Sequence, residues 1–205
     1  MKRDGRRVSR GLGVLARPPF WTGLALGCGL TAVAFQLPYV NWHLVAPPVD
    51  ALPLTIRQDA KGDGRFSAPR SGGRHHRGID LSAPLQSPVR AIRSGTVVQV
   101  GSHRGFGRFV ELEHRHSLHS FYAHLGQVTV EVGARVRQGQ QIGTVGKTGN
   151  ARHPWITPHL HLEVVKDGTP IDPQTLGLQV VESAVRAVER HTPSEDDDDD
   201  ASGGV

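Results

Sequence analysis

The sequence predicts a mainly β protein: an antiparallel β-sandwich or partial barrel, preceded by an N-terminal transmembrane helix and followed by a short C-terminal helix. Three observations carry that reading. Gly (25) and Pro (14) are frequent in 205 residues while aromatics make up 5%, which disfavours a helix bundle and favours strands joined by many turns. From Gly62 onward, apolar residues fall in short runs bounded by glycine. Between Arg17 and Asp50 there is no Asp, Glu, Lys or Arg, so one apolar stretch stands apart from the rest. The single cysteine, Cys28, excludes an internal disulfide framework and any Cys-based structural zinc site.

Residues 1–17 carry Lys2, Arg3, Arg6, Arg7, Arg10 and Arg17 against one acid, Asp4, and read as a basic cytoplasmic segment. Residues 18–42 read as a transmembrane anchor. Trp21 to Val40 approaches the ~20 residues a helix needs to cross a bilayer. Phe20 and Trp21 stand at one end and Tyr39 and Trp42 at the other, as an aromatic belt does, and the basic residues hold the leading end in the cytoplasm. The small-x-small run Ala32-Val33-Ala34 would also fit signal-peptide cleavage and release near Ala34, but apolar residues continue past it. Either way the remainder faces the periplasm or the outside, and the expected location is the inner membrane. Residues 43–61, with Pro47, Pro48 and Pro53, read as a linker, and residues 62–175 as the main domain. Its expected strands are Gly95–Gly101, Phe109–Glu113, Ser120–Leu125, Gln127–Val132 and Leu160–Val165. Residues 176–191 read as an amphipathic helix, because Leu178 to His191 lacks Gly and Pro and places Val180, Val181, Ala184 and Val188 at helical spacing. Residues 192–205, with Glu195 and Asp196 to Asp200, read as a disordered acidic tail.

Twelve histidines are the main chemical clue. His43 and His191 sit at expected element ends. His103, His114, His116 and His119 flank loops or a hairpin tip, where packed or solvated imidazoles are the ordinary case. His159-Leu160-His161-Leu162-Glu163-Val164 differs: strand alternation puts His159, His161 and Glu163 on one face and Leu160, Leu162 and Val164 on the other. His76 and Asp80 would stand roughly 13 Å apart in a fully extended strand, too far to share one zinc. A bend is therefore expected between them, at Gly78. His124, in Tyr122-Ala123-His124-Leu125, comes from a separate strand end. Two histidines and a carboxylate (His76, Asp80, His161) would leave a fourth zinc position open, the arrangement of a catalytic site and not of a structural one.

These residues resemble the lysostaphin/LytM-type family of zinc peptidoglycan endopeptidases. The resemblance rests on His76-x-Gly78-x-Asp80 with Leu81-Ser82-Ala83-Pro84, and on Pro88-Val89-Arg90-Ala91 with Ser94-Gly95-Thr96-Val97. Tyr122-Ala123-His124-Leu125, the glycine-spaced run from Val132-Gly133 to Thr148-Gly149, and Pro158-His159-Leu160-His161-Leu162-Glu163-Val164 complete it. Together they cover about residues 70–173. The resemblance implies that His76, Asp80 and His161 bind one Zn2+, that His124 and His159 are the catalytic pair, and that a LytM-type β fold surrounds a groove for an extended peptide. Two departures stand out. Asn150 to Thr157 is longer than the family's usual link, bringing in His153, Pro154 and Trp155, and Leu162 stands where phenylalanine is more usual.

The expected reaction is zinc-dependent hydrolysis of amide bonds in peptidoglycan peptides by a metalloendopeptidase. Glu163, on the face of His159 and His161, could hold an imidazole. Arg74, Arg77, Arg104 and Arg108 are expected near the groove, where they would steer an anionic wall polymer. Peptidoglycan is the expected partner, with the membrane through the N-terminal helix and other cell-envelope proteins besides. Nucleic acid is not expected, since no recognised module is present. The rival reading is a catalytically silent LytM-type scaffold or activator of other cell-wall hydrolases, but all five site positions are filled. A carrier domain of the biotinyl type is excluded by the lack of a lysine beside methionine, as the one methionine is Met1.

Overall fold

The computed structural model describes residues 39–183. The basic segment, nearly all of the expected anchor, residues 184–191 of the expected helix and the acidic tail lie outside the described residues. Among the described residues, no helix is long and apolar enough to cross a membrane. The strands run in chain order as β1 (Gln58–Asp59), β2 (Gly62–Asp63), β3 (Gly78–Ser82), β4 (Pro88–Arg90), β5 (Gly95–His103), β6 (Gly107–His114), β7 (Leu118–Val128), β8 (Arg135–Val136), β9 (Gln141–Val145), β10 (His159–Lys166) and β11 (Thr169–Ile171). Short 3-10 turns at Gly149–Arg152 and Pro173–Leu176 fall between and after them.

β1 and β2 form a small hairpin, and β3 to β11 form one nine-stranded sheet, antiparallel at every pairing. β7 is its centre. One edge of β7 pairs with β6 from Leu118 to Leu125. The other edge is divided: residues up to Ala123 pair with β10, and residues from Leu125 onward pair with β9. The far edge of β10 is divided in the same way between β3 and β11. β10 alternates as expected: Leu160, Leu162 and Val164 are fully buried in the main core with Ile79, Leu81 and Tyr122. Burying aliphatic side chains of this size contributes ~1.5–3 kcal/mol each.

Three expectations need correction. Residues 43–61 are not a linker, because Val49, Leu54 and Ile56 are core residues and Val49 and Ile56 bridge Val89 and Leu81. The prolines break the periodicity there without stopping single apolar residues from packing. The strand expected at Gln127–Val132 ends at Val128, as the end of β7. Residues 178–183 are extended and not helical: Val181 N–H donates to Leu54 O and its carbonyl accepts from Ile56 N–H, so its backbone is committed to the sheet. At the other end, Tyr39 lies under the Arg135 guanidinium and Trp42 N–H donates to Gln138 Oε1, which places the close of the expected anchor on the domain surface.

His114, expected at a turn, closes β6 and is buried. Its Nδ1–H donates to Ser94 O at 3.0 Å, so Nε2 is the acceptor, 2.7 Å from the Ser120 hydroxyl. The Ser120 and Tyr122 hydroxyls share a hydrogen bond of 2.9 Å, and Ile92 N–H donates to Tyr122. Burial pushes the His114 pKa down to about 4, against the attraction of the Ser94 carbonyl. The unfolded chain then takes up a proton before the folded one does. This contribution to stability is complete above about pH 6.5 and is lost progressively down to about pH 4, with a total on the order of 3 kcal/mol. The urea midpoint should fall over that window, and more steeply in the native chain than in His114→Gln; equal slopes would show that His114 is not the titrating group.

Candidate metal centre and active site

The antiparallel register places His161 of β10 directly opposite Asp80 of β3 and, on its other side, opposite Ala123 of β7. His76 precedes β3 and meets the same point. His76 Nε2 lies 3.0 Å from His161 Nδ1 and 3.2 Å from Asp80 Oδ1, and His161 Nδ1 lies 2.8 Å from the same Asp80 oxygen. Gly78 has a different role from the one expected. Its φ is ordinary, and a Cβ there would lie 2.2 Å from Leu162 O, so glycine is required for the close approach of β3 to β10 and not for a bend.

The other ring nitrogens fix the tautomers. His76 Nδ1–H donates to Arg65 O at 2.8 Å, leaving Nε2 with its lone pair. His161 Nε2–H donates to Glu163 Oε1 at 3.0 Å, directing Nδ1 to the cluster. Once the Nδ1 proton of His161 is displaced, three electron-pair donors converge here, with ligand atoms within 4.8 Å of one another. Zinc with bonds of ~2.0–2.2 Å would separate such donors by about 3.3 Å, within about half an ångström of what is seen. The donor set and its geometry therefore fit the metal.

The electrostatics agree. Burial opposes ionisation of Asp80, but its close contacts with His161 and His76 outweigh it and hold its carboxyl well below the usual range. Burial also works against a charge on His161, yet its hydrogen bonds to Asp80 and Glu163, with their charges, raise its pKa to about 9.

The two remaining imidazoles go the other way. His124 Nδ1–H donates to Thr148 O at 3.0 Å and His159 Nδ1–H to Thr157 O at 2.7 Å, so each keeps an Nε2 lone pair. Their ring centroids are 4.9 Å apart, and His159 Nε2 lies 4.0 Å from Asp80 Oδ1. Burial, reinforced by His159 and His161, pulls the His124 pKa down to about 3, and burial likewise lowers that of His159 despite the nearby Asp80 charge. Both are neutral at neutral pH. His124 has φ 61, a left-handed backbone uncommon outside glycine and found where surrounding structure enforces it. Its N–H donates to Phe106 O and its carbonyl accepts from Gly146 N–H.

A family model described as peptidase family M23 matches residues 74–173. Residues 74–173 belong to peptidase family M23. This M23 domain is 39% identical, over 54% of the chain, to the lipoprotein NlpD/LppB homolog of Pseudomonas aeruginosa. It is 38% identical, over 53% of the chain, to the DD-carboxypeptidase/endopeptidase Mpg of Neisseria meningitidis serogroup B. The chain spans 35% and 24% of the length of these two proteins. Among solved structures, it is similar to a catalytic-domain mutant of the prophage-encoded M23 protein EnpA from Enterococcus faecalis. That likeness has 29% identity and a TM-score of 0.50, covering 63% of this chain and 96% of that one.

The M23 domain also uses residues that sequence reasoning missed. Phe106 stacks on His161 with ring centroids 5.7 Å apart, and only its place between glycines marked it. Arg57 and Arg70 flank Asp80 Oδ2 at 2.9 and 3.6 Å. Of the expected groove arginines, Arg77 approaches Glu163 at 3.8 Å, while Arg74 donates to Ser71 O and Arg108 to Gly126 O. A metal must displace the His161 proton. Apparent metal affinity should therefore rise about tenfold per pH unit up to about pH 9, measured by competition with a chromophoric chelator. A flat profile between pH 6.5 and 9 would show that His161 is not the proton-bearing ligand.

Proposed function

We propose that the chain is a zinc-dependent endopeptidase that hydrolyses amide bonds in peptidoglycan peptides. The supporting observation is the pairing of two unlike sets of imidazoles. His76, Asp80 and His161 bring their ligand atoms to one point, while His124 and His159 stand beside them neutral. His76 Nε2, Asp80 Oδ1 and His161 Nδ1 would hold the zinc. When bound, the metal supplies a Lewis acid for the scissile carbonyl and an acidified water. The Nε2 atoms of His124 and His159 then take the proton from the attacking water and return a proton to the leaving nitrogen as the C–N bond breaks. An imidazolium formed there also stabilises the negative charge on the former carbonyl oxygen. Phe106 stacks on one side of His161.

The relatives named for DD-carboxypeptidase/endopeptidase activity support a stem-peptide cross-link as the target. The apolar stretch that precedes Tyr39, after a basic segment, supports an anchor in the inner membrane with the domain outside it.

The test is the zinc content of the purified chain and the masses of products it releases from purified muropeptides. Asp80→Ala and His161→Ala should lose both zinc and cleavage. His124→Ala and His159→Ala should retain zinc and lose about 10²–10⁴-fold in kcat. Cleavage retained in Asp80→Ala or His161→Ala would remove the proposal. Zinc uptake without cleavage by the native chain would favour a silent scaffold.

A further inference from the structure

We infer that Arg57 and Asp59 are positioning residues that tie the metal-binding carboxylate to the catalytic imidazole of His159. Both precede residues 74–173, outside the region matched to the family. The inference rests on the zinc endopeptidase reading above and goes past it to a pair of residues in a segment whose sequence reads as a linker.

Asp80 is held at both oxygens. Oδ1 faces His161 and His76, while Oδ2 accepts from Arg57 Nη2 at 2.9 Å. The same guanidinium turns Nη1 to Asp59 Oδ2 at 2.6 Å. That Asp59 oxygen also accepts from Thr157 N–H at 3.0 Å, and the carbonyl of Thr157 takes the Nδ1 proton of His159 at 2.7 Å. One continuous chain of contacts therefore runs Asp80, Arg57, Asp59, Thr157, His159. It leaves the metal cluster through one carboxylate oxygen and returns to it through His159 Nε2, 4.0 Å from the other.

The backbone makes the link stiff. Arg57 N–H donates to Asp80 O, Asp80 N–H to Gly64 O, and Gly64 N–H to Arg57 O, each at 2.8 Å. Arg57 is itself 5% exposed, so its charge is retained in the interior only because two carboxylates receive it. Its planar fork reaches both carboxylates at once, by a hydrogen bond to Asp80 and an ion pair with Asp59, which a lysine ammonium matches poorly. Occupying Oδ2 leaves Asp80 one oxygen for the metal. Holding Thr157 fixes the peptide that sets the tautomer and aim of His159. Thr157 ends the long segment Asn150–Thr157, so Asp59 fastens that segment just before β10 begins.

The test uses the full chain, with zinc affinity read by chelator competition and kcat and KM read on purified muropeptides. Arg57→Gln should weaken zinc about 10–100-fold, the range usual for partners of metal ligands. Asp59→Asn, which keeps the side chain's shape and leaves Asp80 as the carboxylate facing Arg57, should keep zinc affinity within a few-fold and lower kcat about tenfold at unchanged KM. In a His159→Ala background, Asp59→Asn should lower kcat no further, because its effect passes through that imidazole. A drop that multiplies fully with His159→Ala, or native zinc affinity in Arg57→Gln, would overturn the inference. Should Arg57→Gln not fold, as judged by its thermal midpoint, the Asp59→Asn cycle decides alone. A native chain that binds no zinc would instead overturn the function on which the pair rests.

Discussion

His161 stands opposite Asp80 across an antiparallel strand pair, and the site exists because that register cannot slip. A shift of one residue would turn His159, His161 and Glu163 into the core and bring Leu160, Leu162 and Val164 out to the polar side. Those three are fully buried, so slippage would expose several kcal/mol of apolar surface while burying three polar groups without partners. Packing on one face of β10 therefore sets the chemistry on the other. Gly78 serves the same constraint, since any larger residue would hold β3 away from β10 at Leu162.

Within that frame, one side-chain type is given three electrostatic roles. His161 lies between two carboxylates and binds positive charge strongly. His124 and His159 donate only to carbonyl groups and are driven neutral by burial. His114, also buried, meets only hydroxyl and carbonyl partners and is silent at neutral pH. Burial is common to all of them, so it does not distinguish them. The distinguishing variable is whether a buried carboxylate lies at hydrogen-bond distance from a ring nitrogen, because only that contact repays the desolvation of an imidazolium. The buried carboxylates are in turn retained by arginine: Asp80 by Arg57 and Arg70, and Glu163 more loosely by Arg77.

What could be read from the sequence follows the range of each interaction. The face shared by His159, His161 and Glu163 depends on a period of two, a local property, and it is found as expected. That His76 and Asp80 meet came from the motif, whereas the reason for Gly78 depends on the Leu162 carbonyl, more than eighty positions away in the chain. The segment before Gly62 hid its contribution because Ile56 and Arg57 act singly, one packing in the core and the other reaching Asp80, with no repeat to mark them. The extended course of residues 178–183 was hidden for a similar reason: helical spacing of Val180 and Val181 is equally compatible with a strand whose backbone is claimed by Leu54 and Ile56.

The unusual backbone of His124 marks the point at which the sheet forks. β7 pairs with β10 up to Ala123 and with β9 from Leu125, so His124 is the residue at which two neighbours of one strand diverge. A regular strand residue there would point along the alternation of Ala123 and Leu125 and continue the sheet. The left-handed conformation, which costs on the order of 1–3 kcal/mol for a non-glycine residue, instead breaks the alternation and brings the ring to His159. Its N–H, carbonyl and Nδ1 are each bonded, to Phe106, Gly146 and Thr148, and these contacts hold it against that strain. His159 begins β10 just past its last pair with β7 and borders the same divergence. The two imidazoles thus flank a fork in the sheet, beside the Asp80 carboxylate, at the point where one central strand changes partners.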